Sequence, residues 1–282
     1  MRIAVSGTSS SIGRAVVREL SEQGIEIAYL TRTGLGERFD LSDPIKLHAE
    51  NLDAFIHLAW DWSESYAKGH RHNVENILPF LHSLATTDTK MVLLSSESAS
   101  GIPESNYGKL KRELEQEFST RGGTSIRAGL IWGSSISGIV ATVARLSQVP
   151  FFCVHLDPDP NLFVSNETEI AKALVFEAVT RGAPHTVFSL KSKESIQLSK
   201  ISHCCQDSTR KRLHLRIRVK NLVLIGEFMR KLHFKLPFRV DSLRSILAVQ
   251  QNAPEIGVLE QSTQTTTDHF IRWIAQYRSH RE

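Results

Sequence analysis

The feature that most constrains this chain lies at its start, in the segment Gly7-Thr8-Ser9-Ser10-Ser11-Ile12-Gly13. An apolar run at residues 2–6 precedes it. Ser11 to Glu22 follows, with Ile12, Val16, Val17 and Leu20 at helical spacing. Gly24 closes that helix and Ile25 to Leu30 reads as a second strand. Parallel strands need a helical crossover of this kind, so a βαβ unit is in place by Leu30. The helix N-terminus offers unpaired N–H groups and the positive end of a dipole to an anion, and small loop residues let a diphosphate reach the backbone. A glycine pattern alone is weak, but inside a βαβ unit it reads as a dinucleotide site formed by Gly7, Ser9, Ser10, Ser11, Ile12 and Gly13. The alternative is a turn that merely packs helix on sheet. Ser10 stands where a glycine is more usual, so its Cβ either crowds the phosphates or its hydroxyl bonds them.

The alternation continues. Ala54 to Ala59 and Lys90 to Ser95 read as buried strands, and Thr124 to Leu130 as another. A long helix is expected over 65–86 with Pro79 as a kink point, one near Pro44 to Glu50, and one from Tyr107 to Thr120. This predicts an α/β fold, a Rossmann-type doubly wound parallel sheet over residues 1–133. Residues 134–282 are expected to form mainly a smaller substrate-binding lobe, with some segments returning to the sheet. Within that lobe the patterns give helices near 136–146, 168–180, 220–232 and 264–279, and a half-buried strand over 212–219.

A carboxylate at the end of the second strand would favour NAD by binding the adenosine ribose. The chain has Thr31-Arg32-Thr33 instead, so Arg32, helped by Arg14, suits the extra phosphate of NADP, which is preferred over NAD. Tyr107 and Lys111 sit one turn apart on a helix. An ammonium beside a phenol favours phenolate, so Tyr107 is expected to have a lowered pKa and to exchange a hydroxyl proton during hydride transfer. Ser96, ending the preceding strand, can hydrogen-bond the same substrate oxygen. The plain alternative is a surface Tyr/Lys pair.

These elements in order resemble the extended short-chain dehydrogenase/reductase family, particularly its NAD-dependent epimerase/dehydratase group, over roughly residues 1–190. The likeness is carried by the glycine loop, Asp40-Leu41, His57-Leu58-Ala59, Asn73-Val74, then Ser96, Tyr107 and Lys111. Arg127 to Gly133 is similar to the segment that opens the family's substrate region, and Phe163-Val164 through Ala171 to a later one. The departures are Ser10, Ala128, Trp132 and a short stretch over 31–53. The resemblance implies cofactor contacts at Asp40, Leu41, Leu58, Ala59 and Asn73 as well as at Tyr107 and Lys111. It also implies a nucleotide sugar as substrate, met by Ser96 and Glu97 with late arginines such as Arg239 and Arg244, and a homodimer built on the helices at 65–86 and 107–121. No acidic pair follows Ser96 as a dehydratase would use, so epimerisation or ketone reduction is expected.

A net charge of +4 is too small to argue for nucleic acid. No long uncharged apolar run suggests a membrane span, and the opening residues leave no leader, so a cytoplasmic protein is expected. Cys153, Cys204 and Cys205 lack metal or disulfide spacing and read as packing residues. His70, His72 and His82 share no evident helix face, and no metal is expected; His57 reads as structural or cofactor-lining. A non-catalytic NADP-binding sensor of the same fold remains the alternative to an enzyme, and a scaffold without dinucleotide a third reading.

Overall fold

The computed structural model describes residues 1–34, 36–45, 47, 51–62, 70–135, 138–147, 152–180, 187–206, 213–231, 241, 244, 259–262 and 266–279. The strands are β1 (Arg2–Ser6), β2 (Glu26–Thr31), β3 (Glu37–Arg38), β4 (Ala54–His57), β5 (Lys90–Ser96), β6 (Thr124–Ala128), β7 (Leu130–Trp132), β8 (Phe152–Asp157), β9 (Asn161–Leu162), β10 (Val164–Asn166), β11 (Val187–Lys191), β12 (Ile196–Gln197), β13 (Leu213–Arg218) and β14 (Leu259–Ser262). The helices are α1 (Ser11–Glu22), α2 (His72–Glu75), α3 (Leu78–Ala85), α4 (Asn106–Ser119), α5 (Gly138–Leu146), α6 (Glu167–Val179), α7 (Leu198–Cys204), α8 (Val219–Lys231) and α9 (Thr267–Ser279).

Eight strands form one sheet in the order β14-β11-β6-β5-β4-β1-β2-β3. Every pairing in it is parallel. The doubly wound fold is therefore present, and β11 and β14 bring residues from beyond 134 back into the sheet. Period-two alternation divides the strands between two apolar layers. Ile3 and Val5 of β1, Ile56 of β4 and Val92 of β5 pack with Val16 and Leu20 of α1 and Leu174 of α6. Ala4, Phe55 and Leu93 point the other way, onto Phe80 and Leu81 of α3 and Leu114 and Phe118 of α4. A third cluster holds Trp132, Val140, Ile201 and Phe270 together in the C-terminal region.

Three expectations change. The helix expected over 65–86 is two short ones among the described residues, with Pro79 in the first turn of α3, where its missing N–H is harmless, rather than at a kink. Residues 63–69 lie outside the description, as does most of the helix expected at 44–50. The strand expected to reach Leu130 stops at Ala128, because the next amides turn to other partners: Gly129 N donates to Ser165 Oγ and Leu130 N to the Phe163 carbonyl, at 2.8 Å each, an approach so close that a Cβ on Gly129 would lie 2.5 Å from the Phe163 oxygen. There the chain leaves the sheet and pairs β7 with β10. Finally, the strand over 212–219 is not half-buried: β13 is largely exposed on both faces.

The strand order reverses between β1 and β4, and in such sheets ligands bind beyond the carboxyl ends of the strands at that switch. Gly7 follows β1, Leu58 follows β4 and Ser96 ends β5, so the sequence-derived residues converge on one edge.

Candidate active site

The glycine loop has no room for a side chain at either of its glycines. Gly7 takes a φ of +76°, and a Cβ there would lie 2.8 Å from the Ala59 nitrogen. A Cβ on Gly13 would lie 2.2 Å from the Gly7 oxygen. Ser10 caps α1: its Oγ donates to the Gly7 carbonyl at 2.8 Å and accepts from Gly13 N at 3.0 Å. Its hydroxyl thus closes the loop on itself. The N–H groups of Ser11 and Ile12, at the positive end of the helix, have no acceptor among the described residues. The cradle fits a diphosphate on these grounds. Ser11 Oγ itself bonds the buried Glu167 carboxylate and lies 3.0 Å from Ser134 Oγ. Leu58 N and Ala59 N donate to Ser6 Oγ at 3.2 and 3.3 Å, which ties the ends of β1 and β4 together.

Arg32 stands exposed just past β2, with no polar partner among the described residues. Arg14 instead donates to the Ser9 carbonyl at 2.6 Å, across the loop. The Asp40 carboxylate accepts from Ser42 N at 3.1 Å and Ser42 Oγ at 2.9 Å, while Leu41 is buried in the core. Asn73, fully buried, grips Asp61 by both polar groups, accepting from its N at 2.6 Å and donating to its carbonyl at 3.0 Å. It fixes the chain that follows β4.

The helix α4 carries Tyr107 and Lys111. Ser105 caps it by accepting from Gly108 N at 3.0 Å, and the Asp241 carboxylate accepts from Asn106 N and Tyr107 N, at 2.9 Å each. Lys111 is 3% exposed; its Nζ donates to the Leu94 carbonyl at 2.9 Å and lies 4.6 Å from the Trp60 ring centroid. Burial pushes this ammonium down to about 7, against the pull of Glu115. Burial likewise pushes Tyr107 up to about 12, opposed by a hydrogen bond with Ser96 and reinforced by Glu115. The expected lowering of the phenol pKa is therefore corrected: desolvation penalises the phenolate more than its neighbours favour it. Trp60 meets Tyr107 edge-on at 5.0 Å, and Trp62 stacks on it at 5.1 Å.

Glu97 is buried rather than open to a ligand: Ser189 Oγ donates to it at 2.5 Å and Lys191 Nζ lies 3.1 Å away. Arg244 pairs with Glu227, and Arg239 lies outside the described residues. His57 is fully buried, 2.8 Å from Ser6 Oγ by its Nδ1, and desolvation holds its pKa well below the usual histidine range. His72 faces Asp61 at 3.0 Å and His82 faces Arg121 at 3.2 Å, so these two do not share a cluster.

A sequence model of the NAD dependent epimerase/dehydratase family matches residues 3–121. No curated protein sequence matches the chain. Among solved structures, the NAD dependent NDP-hexosamine 5,6-dehydratase TunA aligns with a TM-score of 0.65 at 16% identity, covering 100% of this chain and 99% of that one. The UDP-N-acetylglucosamine 4-epimerase of Bacillus cereus aligns at 0.60 and 15% identity, over 90% of this chain and 100% of its own. MoeE5, in complex with UDP-glucose and NAD, aligns at 0.63 and 16% identity, over 77% of this chain and 85% of its own. At such identities the likeness shows a shared fold.

Several groups that shape the site escaped the sequence reading. Glu115 is one turn beyond Lys111 and binds Arg127 at 2.7 Å and Ser95 at 2.5 Å, a buried set that locks α4 to β5 and β6. Its four-residue spacing from Lys111 was a usable signal. Trp60 and Trp62 follow His57-Leu58-Ala59 directly, and two tryptophans at a strand's carboxyl end were likewise visible. Asp241 had no local signal at all. As for the expected dimer, no large apolar side chain is exposed on α2, α3 or α4. Among the described residues no helix is long and apolar enough to cross a membrane.

Proposed function

We propose that the chain is an NAD(P)-dependent oxidoreductase or epimerase acting on a nucleotide-activated sugar, with residues 134–282 supplying most of the substrate lobe. The observation that carries this reading is the placement of Tyr107 and Lys111 one turn apart on α4, with the Lys111 ammonium buried on the Leu94 carbonyl and Ser96 ending β5, at the edge where the glycine loop opens. The loop amides of Ser11 and Ile12 would hold the dinucleotide diphosphate, and the nicotinamide, when bound, accepts or returns the hydride. Tyr107 Oη returns or removes the proton of the same hydroxyl as alcohol and ketone interconvert, and Ser96 Oγ bonds that oxygen. A phenol near 12 is protonated at neutral pH and so stands ready to donate its proton. Trp60 and Trp62 pack against the phenol ring. Support for a sugar-nucleotide substrate comes from the family and from relatives of the same fold, one of them bound to UDP-glucose and NAD.

The choice of NADP over NAD rests on Arg32 alone, against a family described as NAD dependent. Titration with NADPH and NADH, read by nicotinamide fluorescence, tests it: tighter NADPH binding that Arg32→Asp reverses supports NADP, and tighter NADH binding assigns NAD. If neither binds, the enzyme reading falls. With a UDP-sugar substrate, Tyr107→Phe is expected to lower kcat by about 10²–10⁴-fold. Unchanged ligand response with no turnover in either protein would favour the second reading, a non-catalytic dinucleotide sensor. The neutral, tryptophan-covered phenol favours that reading too.

A further inference from the structure

The two-stranded parallel sheet of β8 and β13 lies apart from the main sheet and sets Cys153 opposite His214. Alternation along β8 turns Cys153 and His155 to one face, and paired residues share a face, so His214 joins them. His155 Nε2 lies 2.8 Å from His214 Nδ1 and 3.4 Å from Cys153 Sγ, and the three donor atoms fall within 4.8 Å of one another. We propose that Cys153, His155 and His214 form a binding site for a divalent transition metal of the zinc class.

One thiolate and two imidazoles are the donors that zinc takes in tetrahedral sites, with Zn–S near ~2.3 Å and Zn–N near ~2.0–2.1 Å. The Cys153–His155 spacing is already that of two ligands on one tetrahedral ion. The two imidazole nitrogens need to open by only a few tenths of an ångström. Without metal, the facing nitrogens share one proton. On binding, that proton moves to a distal ring nitrogen and the thiol proton is released to water. The sulfur is oriented from behind: Gln206 Nε2 donates to it at 2.7 Å and to Ser202 Oγ at 3.2 Å, the outer support that ligands of working metal sites have. Cys153 is buried and His214 exposed, which gives the ion a path in and leaves the fourth position open to water. The sequence missed this because the donors come from strands far apart in the chain and carry no C-x-x-C or H-x-x-x-H spacing.

The test uses the full chain after chelator treatment, titrated with Zn²⁺ against a chromophoric chelator and with Co²⁺ by absorption. The expected result is one tightly held ion per chain and a thiolate-to-cobalt charge-transfer band. Cys153→Ser abolishes the band, and His214→Ala, at an exposed position, weakens binding at least ~10-fold while circular dichroism is unchanged. Absence of Zn²⁺ binding by the wild type, or folded variants that bind as it does, would overturn the proposal.

Discussion

Two amphipathic helices of nearly equal length, α4 and α8, meet opposite fates. In α4 the apolar stripe Leu110, Leu114 and Phe118 is buried to 4%, 0% and 0% exposure. In α8 the residues Leu224, Ile225 and Phe228 stay 65%, 51% and 63% exposed. The apolar pattern alone therefore does not decide burial; a partner surface does. For α4 that surface is the sheet, and polar groups fix the contact: Glu115 with Arg127 inside, Lys111 on the Leu94 carbonyl, Asp241 at the N-terminus. α8 packs on β13, whose own side chains are largely exposed. A helix that carries Tyr107 and Lys111 needs the rigid surroundings that α4 has.

The comparison breaks most forcefully through the core of α4. Phe118 stacks on Phe55 and His57, with ring centroids 6.4 and 6.1 Å away, so Phe118→Ala should lower stability by about 3–5 kcal/mol in urea unfolding. Arg127→Ala should have a similar effect, about 3–5 kcal/mol, because it strands the buried Glu115 carboxylate without its partner. A loss below about 1 kcal/mol in both would show that α4 is no better anchored than α8.

A smaller effect comes from Lys111, and it depends on pH. Its folded-state value of about 7 lies below the usual 10.5, so between these the unfolded chain holds a proton that the folded one has released. Stability then rises with pH across that window, by at most roughly 1.4 kcal/mol per pH unit, and the gain is absent in Lys111→Met. Urea midpoints of both proteins at pH 7 and pH 9 check this. Parallel changes would mean that Lys111 is solvated like a surface lysine.

How much of this was legible follows the same division. Strands buried on both faces read as unbroken apolar runs, so β1, β4 and β5 were placed from their residues, and Tyr107 and Lys111 followed from helical spacing. The two- and three-residue strands β3, β7, β9, β10 and β12 could not be read, since so few residues carry no period of their own and exist through pairing. The same holds for Asp241, 135 positions from the amide of Asn106 that it accepts from. Glu97 and Arg244 were read as free to meet a ligand because a charge shows in sequence while its partner, Lys191 or Glu227, does not. Asp241 offers the next prediction. Asp241→Ala should cost about 1 kcal/mol through lost bonds at the α4 N-terminus, a loss that Asp241→Asn partly restores.

The smallest effect is the most informative about α8. Phe228 is 63% exposed, so Phe228→Ala gives up little burial, and alanine is the better helix former. The two contributions nearly cancel, and the urea midpoint should move by no more than about 0.5 kcal/mol in either direction. A loss above roughly 1 kcal/mol could arise only if that face of α8 is covered in solution. Repeating the measurement at several protein concentrations would then separate a second copy of the chain, whose cover weakens on dilution, from cover within the chain, which does not.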